Sequence, residues 1–176
     1  RTTLISLVAL PVSLIIAVLA LKAMGATFNT MTLGGLTIAI GGLVDDAIID
    51  VENVFRRLRE NLARPEEERE SAGAVIYAAS TEIRGSIVFA TLIVMLVFVP
   101  LFFLTGVEGR LLAPLGTAYL VAIFASLVVA LTVTPALCSY FLGSAKSLAH
   151  GDSFLVRHLK AAYLPSLRLA LRNSNL

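Results

Sequence analysis

The sequence predicts an all-α fold: a polytopic membrane helical bundle of four transmembrane helices followed by a cytoplasmic amphipathic surface helix. Three observations carry this expectation. Of 176 residues, 57% are apolar and only 15% are charged, against roughly 45–50% and about 25% in soluble domains. The mean hydropathy is +0.88. The charges are also segregated, with no Lys or Arg from Ala23 to Phe55, from Gly85 to Gly109, or from Leu111 to Ala145. Residues 1–145 are expected to form the four-helix transmembrane part and residues 146–176 the interfacial helix.

The spans follow from length. A helix needs about 20 mostly apolar residues to cross a ~30 Å hydrocarbon core. Four segments qualify, at about 2–21, 30–54, 85–104 and 115–142. The first contains Pro11, the third has Pro100 near its end, and the fourth has Pro135 in its final third, with Thr132 and Thr134 close by. Membrane helices tolerate such prolines where neighbours or hydroxyls satisfy the freed backbone groups. Between the second and third spans lies a loop of about 56–84, expected to be a solvated helix–turn element.

The basic residues orient the bundle. Lys22 and Arg110 lie in the two short connections on one side. Arg1, Arg56, Arg57, Arg59, Arg64, Arg69, Arg84, Lys146, Arg157, Lys160, Arg168 and Arg172 lie on the other. The positive-inside rule then puts both ends and the 56–84 loop in the cytoplasm. Beyond them, Leu155, Leu159, Ala162, Leu167 and Leu171 lie near helical spacing with basic residues on other faces. That pattern predicts a helix lying in the membrane surface, bent near Pro165.

Several function classes drop out on composition. A net charge of +2 is too small to suggest nucleic acid, and no nucleic-acid motif is present. The single cysteine, Cys138, excludes an internal disulfide and a Cys-based zinc site. His150 and His158 lie outside the apolar segments, so neither a metal site nor a cofactor is expected. The chain starts at Arg1 without an initiator Met or signal peptide, and so reads as a fragment of something larger.

The chemistry is in the second span, which carries Asp45, Asp46, Asp50 and Glu52. At ~1.5 Å per residue Asp45 lies ~22 Å from Thr30 and ~16 Å from Arg56, near mid-span. One carboxylate there costs roughly 2.5–3.5 kcal/mol on insertion scales. A cationic partner, a water-filled cavity or protonation could relieve that cost. No Lys or Arg falls within the other spans, so the partner lies on helices outside this chain or protons neutralise the pair. Either case favours a proton relay. Asp45 and Glu52 share one face; Asp46, Asp50 and Asn53 line a neighbouring one. Gly35, Ala39 and Gly42 stack above Asp46 as a small-residue stripe that would let another helix approach. Asp50 and Glu52 lie near the helix end, where Glu52 can pair with Arg56 at i+4 and plain salt bridging is the preferred reading. Met24, Met31 and Met95 are expected to be filler and Cys138 a small packing residue. Thr32, Thr37 and Ser126 are expected to bond their own helix backbones.

Val44-Asp-Asp-Ala-Ile-Ile-Asp-Val-Glu-Asn53 resembles the fourth-helix motif of resistance-nodulation-division (RND) efflux transporters. Phe28-Asn-Thr-Met31, Phe98-Val-Pro-Leu-Phe-Phe103 and Thr134-Pro-Ala-Leu-Cys138 support it, in order along the chain. The spans would then be helices three to six of twelve. Gly106-Val-Glu-Gly-Arg-Leu-Leu-Ala-Pro-Leu115 is most similar to the heavy-metal efflux branch. The resemblance implies a secondary active transporter, not an enzyme: a proton antiporter of the bacterial inner membrane exporting metal cations. It implies a homotrimer joined to a periplasmic adaptor and an outer-membrane channel. Asp45 and Asp46 would carry the protons, a lysine on helix ten would be their partner, and Glu52 matches a further acid of the motif.

The sequence departs from the metal subtypes at several points. Ala39-Ile-Gly41 stands where divalent-cation pumps often have Asp-Phe-Gly. Leu43 and Ile123 stand where copper/silver pumps carry methionines. The double Asp is also the multidrug pattern, which leaves a drug or lipid exporter with the same relay as the alternative. A sterol-sensing-like structural or sensing bundle is a further one. An intramembrane aspartyl protease needs two acids on separate helices and a Gly-x-Gly-Asp motif; the adjacent pair and Gly42-Leu-Val-Asp45 do not supply them.

Overall fold

The computed structural model describes residues 2–142 together with Tyr163 and Pro165. The amphipathic segment expected over 146–176 therefore lies outside the described residues, apart from those two. Four long helices make up the fold: α1 (Thr2–Ala23), α2 (Thr30–Ala63), α3 (Ala72–Phe98) and α4 (Gly106–Leu142). Short 3-10 turns lie at Glu66–Glu68 and Val99–Phe103. All four helices are long and apolar enough to cross a membrane, and there is no strand among the described residues.

The helices run longer than the hydrophobic spans alone. α2 has 34 residues and α4 has 37, so at ~1.5 Å per residue both exceed a ~30 Å hydrocarbon core. No Gly or Pro interrupts α2 after Glu52, and Val54, Leu58 and Asn61 keep a buried face, so the helix runs on to Ala63. It stops at Arg64, which is extended with ψ 156° because a residue before proline disfavours the helical region. Much of the 56–84 connection is thus helix, and the turn proper is 64–71. Asn61 holds that turn from both sides. Its Nδ2 donates to the Glu70 carbonyl at 2.9 Å, and the Glu70 N–H donates back to its Oδ1 at 3.0 Å.

Other ends are equally local. Asn29 caps α2, accepting from the N–H groups of Met31 at 2.9 Å and Thr32 at 3.0 Å, while the Thr32 hydroxyl accepts from the Asn29 N–H at 2.8 Å. Thr32 is therefore half of a capping box, and as expected both hydroxyls bond backbone one turn back, Thr32 donating to the Asn29 carbonyl and Thr37 to the Leu33 carbonyl, each at 2.8 Å. Pro100 has no N–H to continue α3, which passes into the 3-10 turn at Val99. Near Pro135 the hydroxyls of Thr132 and Thr134 donate to Val128 and Val129 carbonyls; neither reaches the Leu131 carbonyl that the proline frees.

α2 and α4 form the central pair. α1 and α3 each pack on both of them, with slight contact at most between themselves. One core cluster joins Ile5 of α1, Val54 and Leu58 of α2, Val75 and Ile76 of α3, and Leu142 of α4. The N-terminal ends of α1 and α3 thus meet the C-terminal ends of α2 and α4, an alternating up–down bundle. A second cluster at the other end is built on Leu21, Leu36, Ala39, Leu43 and Ala122. Between them, among the described residues, Ala9, Ala47 and Val129 form a small buried group. The outer faces are apolar, with Leu7 and Leu19 on α1 and Phe89, Ile93 and Leu96 on α3 exposed, as a bundle surrounded by lipid or by further helices requires.

Candidate functional site

The small-residue stripe on α2 divides on packing. Gly35 is pressed against α4, where a Cβ would overlap the Leu115 carbonyl oxygen and touch the Ala118 Cβ. Ala39 is fully buried. Gly42 departs from the expectation: it is exposed, and a Cβ there would meet only the Ile123 Cδ1 at 4.0 Å. It borders a recess of about 120 Å³ shared with Thr91, Tyr119, Ile123 and Ser126. Two members of the stripe make the α2–α4 approach, and the third opens beside it.

The register of α2 separates the adjacent acids. Position 45 lies three, four or seven residues from Ile38, Gly41, Gly42, Ile48, Ile49 and Glu52, all exposed. Position 46 stands in the same relation to Ala39, Leu43, Asp50 and Asn53, which are buried, and to Gly42 and Ile49, which are exposed. Neighbours at those spacings share a helix face, so position 45 borders an open face and position 46 the edge between that face and the packed seam.

Asp50 is the acid the sequence reading misplaced. It is 1% exposed, not a solvated helix-end residue. Neither of its carboxylate oxygens has a hydrogen-bond partner, and the nearby buried Ser80 hydroxyl of α3 is also without one. Cys138 of α4 lies close enough to feel its charge, as does Arg84 of α3. The cause is register: Leu43, Ala47, Asp50 and Val54 continue the buried face of α2 at intervals of four, three and four. The spacing from Asp46 to Asp50 was legible; the packing of α1, α3 and α4 around it was not. Cys138 is itself fully buried in the core, as expected of a small packing residue.

Glu52 is exposed and borders a groove of about 320 Å³ between α1 and α2, lined also by Thr2, Thr3, Ser6 and Phe55. The expected Glu52–Arg56 pair is replaced. Arg56 donates to the Asn53 Oδ1 at 2.7 Å and pairs with Glu60 at 3.8 Å. Below it Arg57 bridges the helices, donating through Nε to Glu82 of α3 at 2.9 Å and through Nη1 to Glu60 at 3.0 Å. This hydrogen bonding holds the Glu82 carboxyl below its ordinary range and raises the Arg57 guanidinium above its own.

Over residues 1–176 the sequence matches the AcrB/AcrD/AcrF family. The chain belongs to this family. As an AcrB/AcrD/AcrF-family membrane segment it is an RND transporter sequence, and several relatives resemble it. The swarming motility protein SwrC of Bacillus subtilis (strain 168) is 39% identical over 137 residues, 78% of this chain and 12% of that protein. The cation efflux system protein CusA of Escherichia coli (strain K12) is 34% identical over 170 residues, 95% of this chain and 16% of the relative. The multidrug resistance protein MdtC of Klebsiella pneumoniae (strain 342) is 36% identical over 180 residues, 100% of this chain and 17% of the relative. The chain spans less than a fifth of the length of these curated relatives. CusA is named for cation efflux, MdtC for multidrug resistance and SwrC for swarming motility, and the similarity is nearly equal across them.

Proposed function

We propose that this chain is the membrane segment of a proton-coupled RND exporter of heavy-metal cations, with Asp45 and Asp46 as its proton-carrying carboxylates. One observation carries the relay: adjacent acids stand mid-helix in a bundle whose other spans hold no Lys or Arg. A carboxylate within a membrane span and without a cation beside it persists where protonation is part of its work. The partner lysine then comes from a helix outside this chain, as in the resemblance to helix ten. Protonation toggles the pair between charged and neutral, and each state favours a different packing of the face that α2 presents to the rest of the transporter. That difference is what can couple proton passage to a conformational cycle.

Metal export is favoured by the segment Gly106–Leu115, which resembles the heavy-metal branch, and by the similarity to CusA. The double Asp and the similarity to MdtC support a drug or lipid exporter using the same relay as the second reading. In either case the whole transporter is a homotrimer of the bacterial inner membrane, joined to a periplasmic adaptor and an outer-membrane channel. The arginine-rich ends of the helices face the cytoplasm, and Glu52 is an accessory acid at that side.

The test is proton movement in proteoliposomes holding the full-length transporter under an imposed pH gradient, with Zn²⁺, Cu⁺, Ag⁺ or ethidium added in turn. Flux triggered by one metal and lost in Asp45→Asn and Asp46→Asn supports the metal antiporter. Flux with ethidium alone moves the protein to the drug branch. No coupled flux with any of them removes the relay and leaves a structural or sensing bundle.

A further inference from the structure

We propose that Asp50, with Ser80 facing it from α3, is a proton way-station between Asp46 and the arginine-bearing end of α2. This rests on the relay reading above and extends it to a residue the resemblance does not assign.

Three observations carry it. Asp50 lies one helical turn from position 46, a rise of ~6 Å along the same helix. It is enclosed, at 1% exposure. Both carboxylate oxygens and the Ser80 hydroxyl lack hydrogen-bond partners. A carboxylate kept for structure is held by donors, because an unpaired buried charge is costly. Among the described residues, Ser80, Arg84 and Cys138 lie near enough to act on it. A serine hydroxyl can donate to a carboxylate or accept from a carboxylic acid, so it serves both protonation states without rebuilding the site.

The surroundings fit proton passage better than ion pairing. α1 brings Ile5 and Ala9 to this level and has no titratable group in its apolar stretch before Lys22. α4 contributes the neutral Cys138, and α3 contributes Ser80 with the exposed Arg84 beyond it. On α2 itself the neighbours are position 46 above and Asn53 below. Asn53 is engaged with the Ala79 carbonyl and with Arg56. In the transfer, an O–H bond forms at Asp50 as one breaks at the relay acid. The O–H bond at Asp50 then breaks as one forms on a solvent water at the Arg56 end, which carries the proton away, so the step needs only water.

The experiment is the pH dependence of coupled proton flux in proteoliposomes of the full-length transporter, driven by whichever of Zn²⁺, Cu⁺, Ag⁺ or ethidium supports flux in the wild type. Asp50→Asn, Asp50→Glu, Ser80→Ala and Asp46→Asn are compared. Asp50→Asn should lower flux on the order of tenfold or more and change its pH profile, while Asp50→Glu restores a titrating profile. Ser80→Ala, a change small enough to keep the fold, should shift the pH midpoint and so tests the site even if Asp50→Asn does not assemble. Wild-type flux and pH profile in Asp50→Asn, or an unmoved midpoint in Ser80→Ala, overturn the way-station. If Asp46→Asn abolishes flux while the position-50 variants behave as wild type, only this inference fails. If Asp46→Asn retains flux, the relay fails and this inference with it.

Discussion

Asn53 donates its Nδ2 to the Ala79 carbonyl at 2.9 Å, fastening α2 to α3 directly below the buried Asp50. Its Oδ1 also accepts from Arg56 at 2.7 Å, so one amide holds a neighbouring helix and a charged side chain. Asn53 is 7% exposed, and a buried amide that uses both ends fixes the relative height of the two helices. Asn53→Ala removes both bonds and should destabilise the protein by about 1–2 kcal/mol, read as a lower unfolding temperature in detergent. An unchanged unfolding temperature would mean that the clamp contributes nothing net.

The glycines of α2 give a sharper contrast. A methyl at Gly35 has no room beside the Leu115 carbonyl, whereas at Gly42 the nearest atom is 4.0 Å away. Gly35→Ala should therefore push α2 from α4 and destabilise by about 1–3 kcal/mol, the range for overpacking. Gly42→Ala should be neutral or stabilising by about 0.4–1 kcal/mol, since it removes backbone freedom from the unfolded chain. Thermal unfolding of both variants side by side decides it, and equal effects would contradict the packing described here.

Much of this arrangement is legible in the sequence, for physical reasons. Spans announce themselves by length and apolarity, and the gaps in Lys and Arg mark where lipid must be crossed. The α2 extension to Ala63 is harder to read, because polarity beyond Val54 resembles a loop unless the spacing of Val54, Leu58 and Asn61 is followed. The fates of Gly42 and Asp50 depend on which neighbour packs where. Gly35, Ala39 and Gly42 share one helix face, but α4 closes only over Gly35 and Ala39, and at Gly42 its nearest atom, the Ile123 Cδ1, stands off at 4.0 Å from where a Cβ would lie. Asp50 belongs to the seam at Leu43, Ala47 and Val54, and its charge conceals that membership.

The Arg57–Glu82 bridge predicts a modest pH effect at the α2–α3 hairpin. Both side chains are exposed, so salt screens the pair. Hydrogen bonding from Arg57 lowers the Glu82 carboxyl in the folded state. Its contribution is therefore complete above the ordinary glutamate range of about 4.3 and is lost as pH falls through the lowered folded-state value. Wild type should exceed Glu82→Gln slightly in unfolding temperature at neutral pH and low salt. The difference should vanish in strong acid or high salt. A gap that persists in acid would assign the effect to packing instead of charge.

Asp46 and Glu52 should separate in a transport assay, because their positions differ in surroundings. Position 46 shares its face with Ala39, Leu43 and Asp50, all buried, whereas Glu52 opens onto the α1–α2 groove. An acid beside the packed seam can pass a proton on to Asp50, whereas loss of an acid on the open groove leaves that route intact. In the full-length transporter Asp46→Asn should reduce coupled proton flux to background while leaving expression and oligomeric size unchanged. Glu52→Gln should retain most of the flux, with a change only in its approach to saturation at low proton concentration. The comparison reads initial flux against pH for both variants in the same liposomes. Flux surviving in Asp46→Asn while failing in Glu52→Gln would reverse the roles and put the proton site in the groove.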